Sequence, residues 1–187
     1  MSSSSSCVVA EAPLSSRRRQ LLLALAAWPL AAAASPGEDG FENRAGGLRR
    51  WGSGEFRRFG FLIYEATLWA GEDPLRPPLA LKLTYKRNLA GPAIAEASVK
   101  EIRNLGLADE ATLKRWGEQM ARLFPDVRNG DAIVGHYQPG GARFLYNDRL
   151  LGSIDEPAFA RAFFAIWLDA RTSAPELRAA LLKGGGG

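Results

Sequence analysis

Two adjacent arginines head the run Arg57-Arg58-Phe59-Gly60-Phe61-Leu62-Ile63-Tyr64-Glu65-Ala66-Thr67-Leu68-Trp69. A guanidinium keeps its charge at physiological pH and forks onto a carboxylate or phosphate through two parallel N–H bonds. The residues that follow are β-branched and aromatic, so the strand they build must bury at least one face. A cation at the mouth of such a strand is either solvated at the sheet edge or set to receive an anion. Other chemistry is thinly supplied. Beyond residue 34 the chain has no cysteine and a single histidine, His136. It sits in the alternating stretch Asp131 to Gln138, where a lone imidazole is more readily a strand-surface group than a base. No Gly-x-Ser-x-Gly elbow, phosphate-cradling loop or metal-ligand cluster occurs, and no cofactor is expected. Asp126, Asp131 and Asp155 stand beside proline or glycine breaks and read as turn and cap residues. Their spacing does not suit a carboxylate pair for sugar hydrolysis.

The elements that must position the arginines follow from periodicity. Strand signals occur at 48–51, 55–69 and 79–85, the last alternating apolar and polar, with Asp73-Pro74 and Pro77-Pro78 as turn punctuation. Gly91-Pro92 opens a helix whose Ile94, Ala97, Ser98, Ile102 and Leu105 share a face, and Gly106 ends it. A second helix spans about 110–124 and stops at Pro125-Asp126. Three short strands return at 132–138, 142–147 and 150–154, joined by Pro139-Gly140-Gly141 and Asn147-Asp148. Asp155 then caps a helix with Pro157 in its first turn. Ser173-Ala174-Pro175-Glu176 forms a capping box for a last helix ending near Leu182. Strands, a block of helices, then strands and helices again predict an α+β fold with helices on one face of an antiparallel sheet.

The first 34 residues do not belong to that fold. A serine-rich stretch, Arg17-Arg18-Arg19 and a short apolar run from Leu21 to a small-residue tail at Ala34 read as a secretory signal peptide. Arg18-Arg19-Gln20-Leu21-Leu22 follows a twin-arginine pattern. The run is shorter than the ~20 residues a membrane-spanning helix needs, so no stable span is expected. Residues 35–47 read as a linker, 48–183 as one domain and 184–187 as a flexible tail. Cleavage near Ala34 removes Cys7, three arginines and Glu11, lowering the formal charge from +4 to +2. The basic pI therefore belongs partly to targeting, and nucleic acid is not an expected partner. The predicted location is the periplasm or another exported compartment.

Large side chains at helical spacing (Trp116, Phe163, Phe164, Trp167) are core residues first. A sheet covered by such helices can still leave an apolar cleft between the layers, with Arg57, Arg58, Tyr64, Tyr85 and Asn147 as its polar points. On a single strand, Arg57 would share a face with Ile63 and Glu65, and Arg58 with Leu62 and Tyr64. A bulge near Gly60 would exchange them.

Several segments in order resemble the bacterial chalcone isomerase-like family. They are Gly52-x-Gly54-x-Phe56-Arg57-Arg58-Phe59-Gly60-Phe61; Tyr64-Glu65-Ala66-x-Leu68-Trp69; Gly91 with Ser98-x-x-Glu101-Ile102; Phe124-Pro125-Asp126-Val127 with Gly130-Asp131; and Phe163-Phe164-x-Ile166-Trp167-Leu168-Asp169 with Arg171-Thr172-Ser173. The resemblance runs from about Leu48 to Leu182 and implies an open-faced β-sandwich. It also implies what a site would contain. Plant chalcone isomerases hold a developing oxyanion with an arginine and a threonine of the long strand, completed by a tyrosine and an asparagine of the first helix. Arg57 or Arg58 matches the arginine here, whereas Ile63, Ile94 and Glu101 fall at the other three positions. A carboxylate facing an oxyanion would repel it. Non-catalytic relatives hold fatty acids with an arginine and a tyrosine against the carboxylate, a role that Arg57 or Arg58 with Tyr64 and Tyr85 could fill. The expected function is thus an exported protein that binds a small hydrophobic or carboxylate ligand. The alternatives are an isomerase or intramolecular lyase acting on an unsaturated carbonyl compound, and an envelope scaffold or interaction module.

Overall fold

The computed structural model describes residues 47–184. The leader read at 1–34, the linker up to residue 46 and the last three glycines lie outside the described residues.

Six strands form one sheet in sequence order: β1 (Arg49–Arg58), β2 (Phe61–Ala70), β3 (Leu79–Tyr85), β4 (Ala132–Gln138), β5 (Gly141–Tyr146) and β6 (Arg149–Ile154). Every neighbouring pair is antiparallel. Two helices, α1 (Gly91–Leu105) and α2 (Glu110–Leu123), are inserted between β3 and β4, while α3 (Pro157–Leu168) and α4 (Pro175–Leu181) follow β6. A core joins one face of the sheet (Leu68, Leu81, Leu83, Phe144) to the helices (Ile102, Trp116, Phe159, Phe164). Trp69, Ala80 and Val134, which alternate with those strand residues, form a small second cluster. This is the α+β, open-faced arrangement expected from the period of the chain.

Local chemistry accounts for the helix ends. Pro92 occupies the first turn of α1, and Gly106 at φ 68° closes it, its N–H donating to the Arg103 carbonyl at 2.9 Å. Asp109 caps α2 by accepting from the Thr112 N–H at 2.7 Å. Two expected caps differ. Glu156, not Asp155, is the N-cap residue of α3, and its carboxylate is used elsewhere: it accepts from Arg115 at 2.6 and 3.1 Å and from the buried Trp116 indole at 3.0 Å. Ala174 is the N-cap residue of α4, because the Ser173 hydroxyl is donated to Glu101.

A larger difference concerns the first strand. Residues 55–69 do not form one strand; the chain reverses at Phe59-Gly60, with φ of 51° and 81°. Two successive left-handed residues make the tight turn whose twist matches a hairpin. Phenylalanine is a poor turn residue, so the apolar run concealed the reversal. Arg57 and Arg58 therefore end β1 instead of heading β2.

Four carboxylates tie these elements together. Arg115 holds Glu156 below the usual carboxylate range, and Asn147 with Tyr146 does the same for Asp131. Asp109 is lowered by the Thr112 N–H and Asp169 by Arg171. Because their folded pKa values are depressed, their contribution is present above the unfolded values of about 4 and is lost as pH falls through the folded ones. The thermal midpoint should stay level from about pH 7 to 5 and fall below about pH 4. Glu156→Gln should lower the neutral-pH midpoint and flatten the acid limb; an unchanged pH profile would remove Glu156 from this account.

Candidate functional site

Antiparallel pairing places three aromatic residues in a row across β1, β2 and β3. Phe56 lies opposite Tyr64, and Tyr64 opposite Tyr85. Directly paired residues share a face and touch: the Phe56 and Tyr64 rings stack at 4.9 Å, and the Tyr64 and Tyr85 rings meet edge-on at 6.0 Å. A register shift between Phe56 and Arg57 leaves Ile63 as the extra residue on β2. Ile63 lines the same space as Tyr64, as the local bend of a bulge permits.

The row forms the floor of a cavity of about 290 Å³ between this end of the sheet and helices α1 and α3. Hydrocarbon dominates its walls, with Leu83, Ile94, Phe124, Phe163 and Ile166 among them. Ala93 and Ala97 of α1 line it yet remain exposed, so these small side chains leave the mouth open. The sequence expectation put Ala97 on the buried face of α1; Ala95 is buried instead.

Strand alternation separates the two arginines. Arg58 follows Phe56 by two residues, shares its face and lines the cavity at its exposed rim. Arg57 points with Glu55, which it meets at 2.8 Å, and does not line the cavity. Tyr64 and Tyr85 both line it. The Tyr64 hydroxyl accepts from the Trp167 indole N–H at 3.0 Å, which leaves its own proton available. Tyr85 is 2% exposed as a residue, and its ring meets that of Tyr64 edge-on. Burial pushes both phenols well above their ordinary value; the Trp167 bond partly offsets this at Tyr64, and the Glu101 charge adds to it. At neutral pH both are uncharged donors facing an apolar space. Such donors suit an acceptor: a carboxylate or carbonyl oxygen.

Glu101 also lines the cavity, with its carboxylate accepting from the Ser173 hydroxyl at 2.7 Å. Ser98 donates to the Ile94 carbonyl within its own helix at 2.9 Å. Asn147 is not a polar point of the cleft. Its amide oxygen accepts from the Ala132 N–H and its amide nitrogen donates to Asp131, which holds the β5–β6 turn. His136 faces Arg143 across β4 and β5 and does not line the cavity; burial, then the Arg143 charge, lowers its pKa. Among the described residues no group of three His, Cys, Asp or Glu could hold a metal, and no helix is long and apolar enough to cross a membrane. Sequence reasoning missed Trp167 as a hydrogen-bond donor and Ser173 as the Glu101 partner. Helical spacing assigned the first to the core, and proline at 175 assigned the second to a cap.

Comparison with known proteins follows the same lines. A family model described as chalcone isomerase-like matches residues 65–183. The crystal structure of a fatty-acid binding protein of Arabidopsis thaliana is similar, with a TM-score of 0.57 at 12% sequence identity. The alignment covers 73% of this chain and 87% of that one, and at this identity it shows a shared fold. No curated protein matches the chain by sequence.

Proposed function

We propose, from the premise that this chain belongs to the chalcone isomerase-like family, that it is an exported, non-catalytic binder of a small hydrophobic carboxylate. The carboxylate is received by Arg58 at the cavity mouth and by the phenols of Tyr64 and Tyr85 within, and the apolar tail lies against the hydrocarbon walls. The observation that carries this reading is the apolar cavity itself, lined by Arg58 at its rim and by the uncharged phenols of Tyr64 and Tyr85 within. A cation and two phenolic donors set around hydrocarbon walls suit a ligand with an anionic head and an apolar tail.

Two further features support binding over turnover. Ile63 and Ile94 line the cavity, and the resemblance to plant isomerases puts them at the positions of hydroxyl donors, so they offer nothing to a developing oxyanion. Glu101, at the remaining position, adds negative charge. The similar fold of a fatty-acid binding protein points the same way. A cavity of about 290 Å³ is at the small end of the ~300–1,000 Å³ usual for ligand clefts. Short or medium acyl chains therefore suit it best. Export rests on the basic and apolar leader pattern at 1–34.

The test is a calorimetric titration with a series of saturated fatty acids and the matching alcohols. A charge-assisted hydrogen bond contributes ~1.5–3 kcal/mol, so the acid should bind about 10- to 100-fold tighter than the alcohol of equal length. Equal affinity for acid and alcohol, or no binding of either, would sink the proposal.

A further inference from the structure

The tip of the β1–β2 hairpin combines features that neither the fold nor the cavity uses. Phe59 is 87% and Phe61 56% exposed, on either side of Gly60. Isolated apolar residues on a surface need no account. Phe59 differs because it sits at φ 51°, a left-handed conformation that a bulky side chain adopts only under strain. Asparagine, aspartate or glycine would close this turn with less strain. The ring thus occupies a disfavoured position and buries almost nothing in return.

Its surroundings are cationic. The Arg58 guanidinium lies 5.4 Å from the Phe59 ring centre, and Arg87 lies 4.4 Å from that of Phe61. Neither arginine makes an ion pair among the described residues. Arg57 and Lys86 flank them and are paired with Glu55 and Glu65, so the tip keeps a net positive charge. Aromatic rings flanked by arginines match the boundary between lipid headgroups and acyl chains, and the charge selects anionic lipid. A protein partner fits less well, because a stable protein interface buries at least ~1,200 Å², far more than one two-residue turn presents.

We propose that this tip docks the protein on an anionic phospholipid surface by inserting Phe59 and Phe61 into the headgroup region. Arg58 belongs to both the tip and the cavity rim, so docking would turn the mouth toward the lipid. The docking stands independently of what the cavity binds.

The experiment compares the full chain with its Phe59→Asn and Phe59→Asn/Phe61→Ser variants. Partitioning is measured by sedimentation with phosphatidylcholine vesicles, with and without phosphatidylglycerol. Hydrogen exchange on the same mixtures locates the contact. Slowed exchange at 58–62 is expected on anionic vesicles alone, and that protection should be lost in the double variant, whose partitioning falls about tenfold or more. Phe59→Asn should raise the thermal midpoint, because asparagine tolerates the turn, so its lost protection would not reflect unfolding. Exchange at 58–62 that ignores the vesicles would overturn the proposal. So would protection that grows with protein concentration without lipid, which would assign the tip to a second copy.

Discussion

Tyr85→Phe is expected to weaken fatty-carboxylate binding by about 10- to 100-fold while leaving the ligand-free protein close to its original stability. Both expectations follow from which part of this side chain the fold uses. Tyr85 lines the cavity, and its ring packs edge-on with that of Tyr64, so the fold uses the ring. Phenylalanine keeps that ring in the same place and removes only the hydroxyl, the group offered to the ligand. A charge-assisted bond from the phenol to a bound carboxylate contributes ~1.5–3 kcal/mol, which is the 10- to 100-fold in affinity. Calorimetric titration and a thermal melt of the same sample check both halves. Arg57→Ala provides the contrast, since Arg57 pairs with Glu55 away from the cavity and its removal should leave affinity within about twofold. Unchanged affinity in Tyr85→Phe would remove the phenol from the site.

Gly91→Ala should cost about 3 kcal/mol or more, although alanine is the better helix former. The start of α1 lies against the end of α2, where a Cβ on residue 91 would fall well inside van der Waals contact with the Phe124 carbonyl oxygen. It would also stand 2.9 Å from the carbonyl carbons of Phe124 and Pro125. These are backbone atoms that cannot swing aside. The junction is fastened twice more: the Gly91 N–H donates to Asp126 at 2.9 Å, and Leu89 pairs with Val127 through both backbone bonds. Phe124 itself lines the cavity and packs on Phe144 at 5.1 Å, so a shift there carries into the core. The thermal midpoint should drop by about 10 °C. Gly140→Ala, with nothing within 4 Å of its added carbon, should change little. Comparable midpoints for the two variants would show that the α1–α2 junction yields, contrary to the packing argument.

The sheet and helices were readable because each element carries its own period. Leu79 to Tyr85 alternates because one side meets the helices and the other does not. Ile102 and Leu105 recur at helical spacing because α1 buries one stripe. Gly106 and Asp109 end and begin their helices through chemistry local to a few residues. Ser173 and Asp155 misled for the converse reason. Both have the residue types of caps, but the Ser173 hydroxyl is 2.7 Å from Glu101, 72 positions away, and Glu156 serves Arg115 and Trp116 across the helices.

The residues named for the site divide along the same line. The sequence by itself determined an α+β layer structure, because composition and period decide which side chains must be buried, and it offered two arginines, two tyrosines and Asn147 as polar points of a cleft that such layers can leave. Only the tertiary structure decided that Arg58 reaches the cavity and Arg57 does not. That choice depends on a left-handed phenylalanine reversing the chain at residue 59 and on a bulge that leaves Ile63 unpaired. It also took the folded chain to place Trp167 on the Tyr64 hydroxyl and to bring Tyr64 and Tyr85 into one cavity. Hydrogen bonds between residues 103 positions apart have no period to announce them. They exist only once the sheet and the helices have closed on each other.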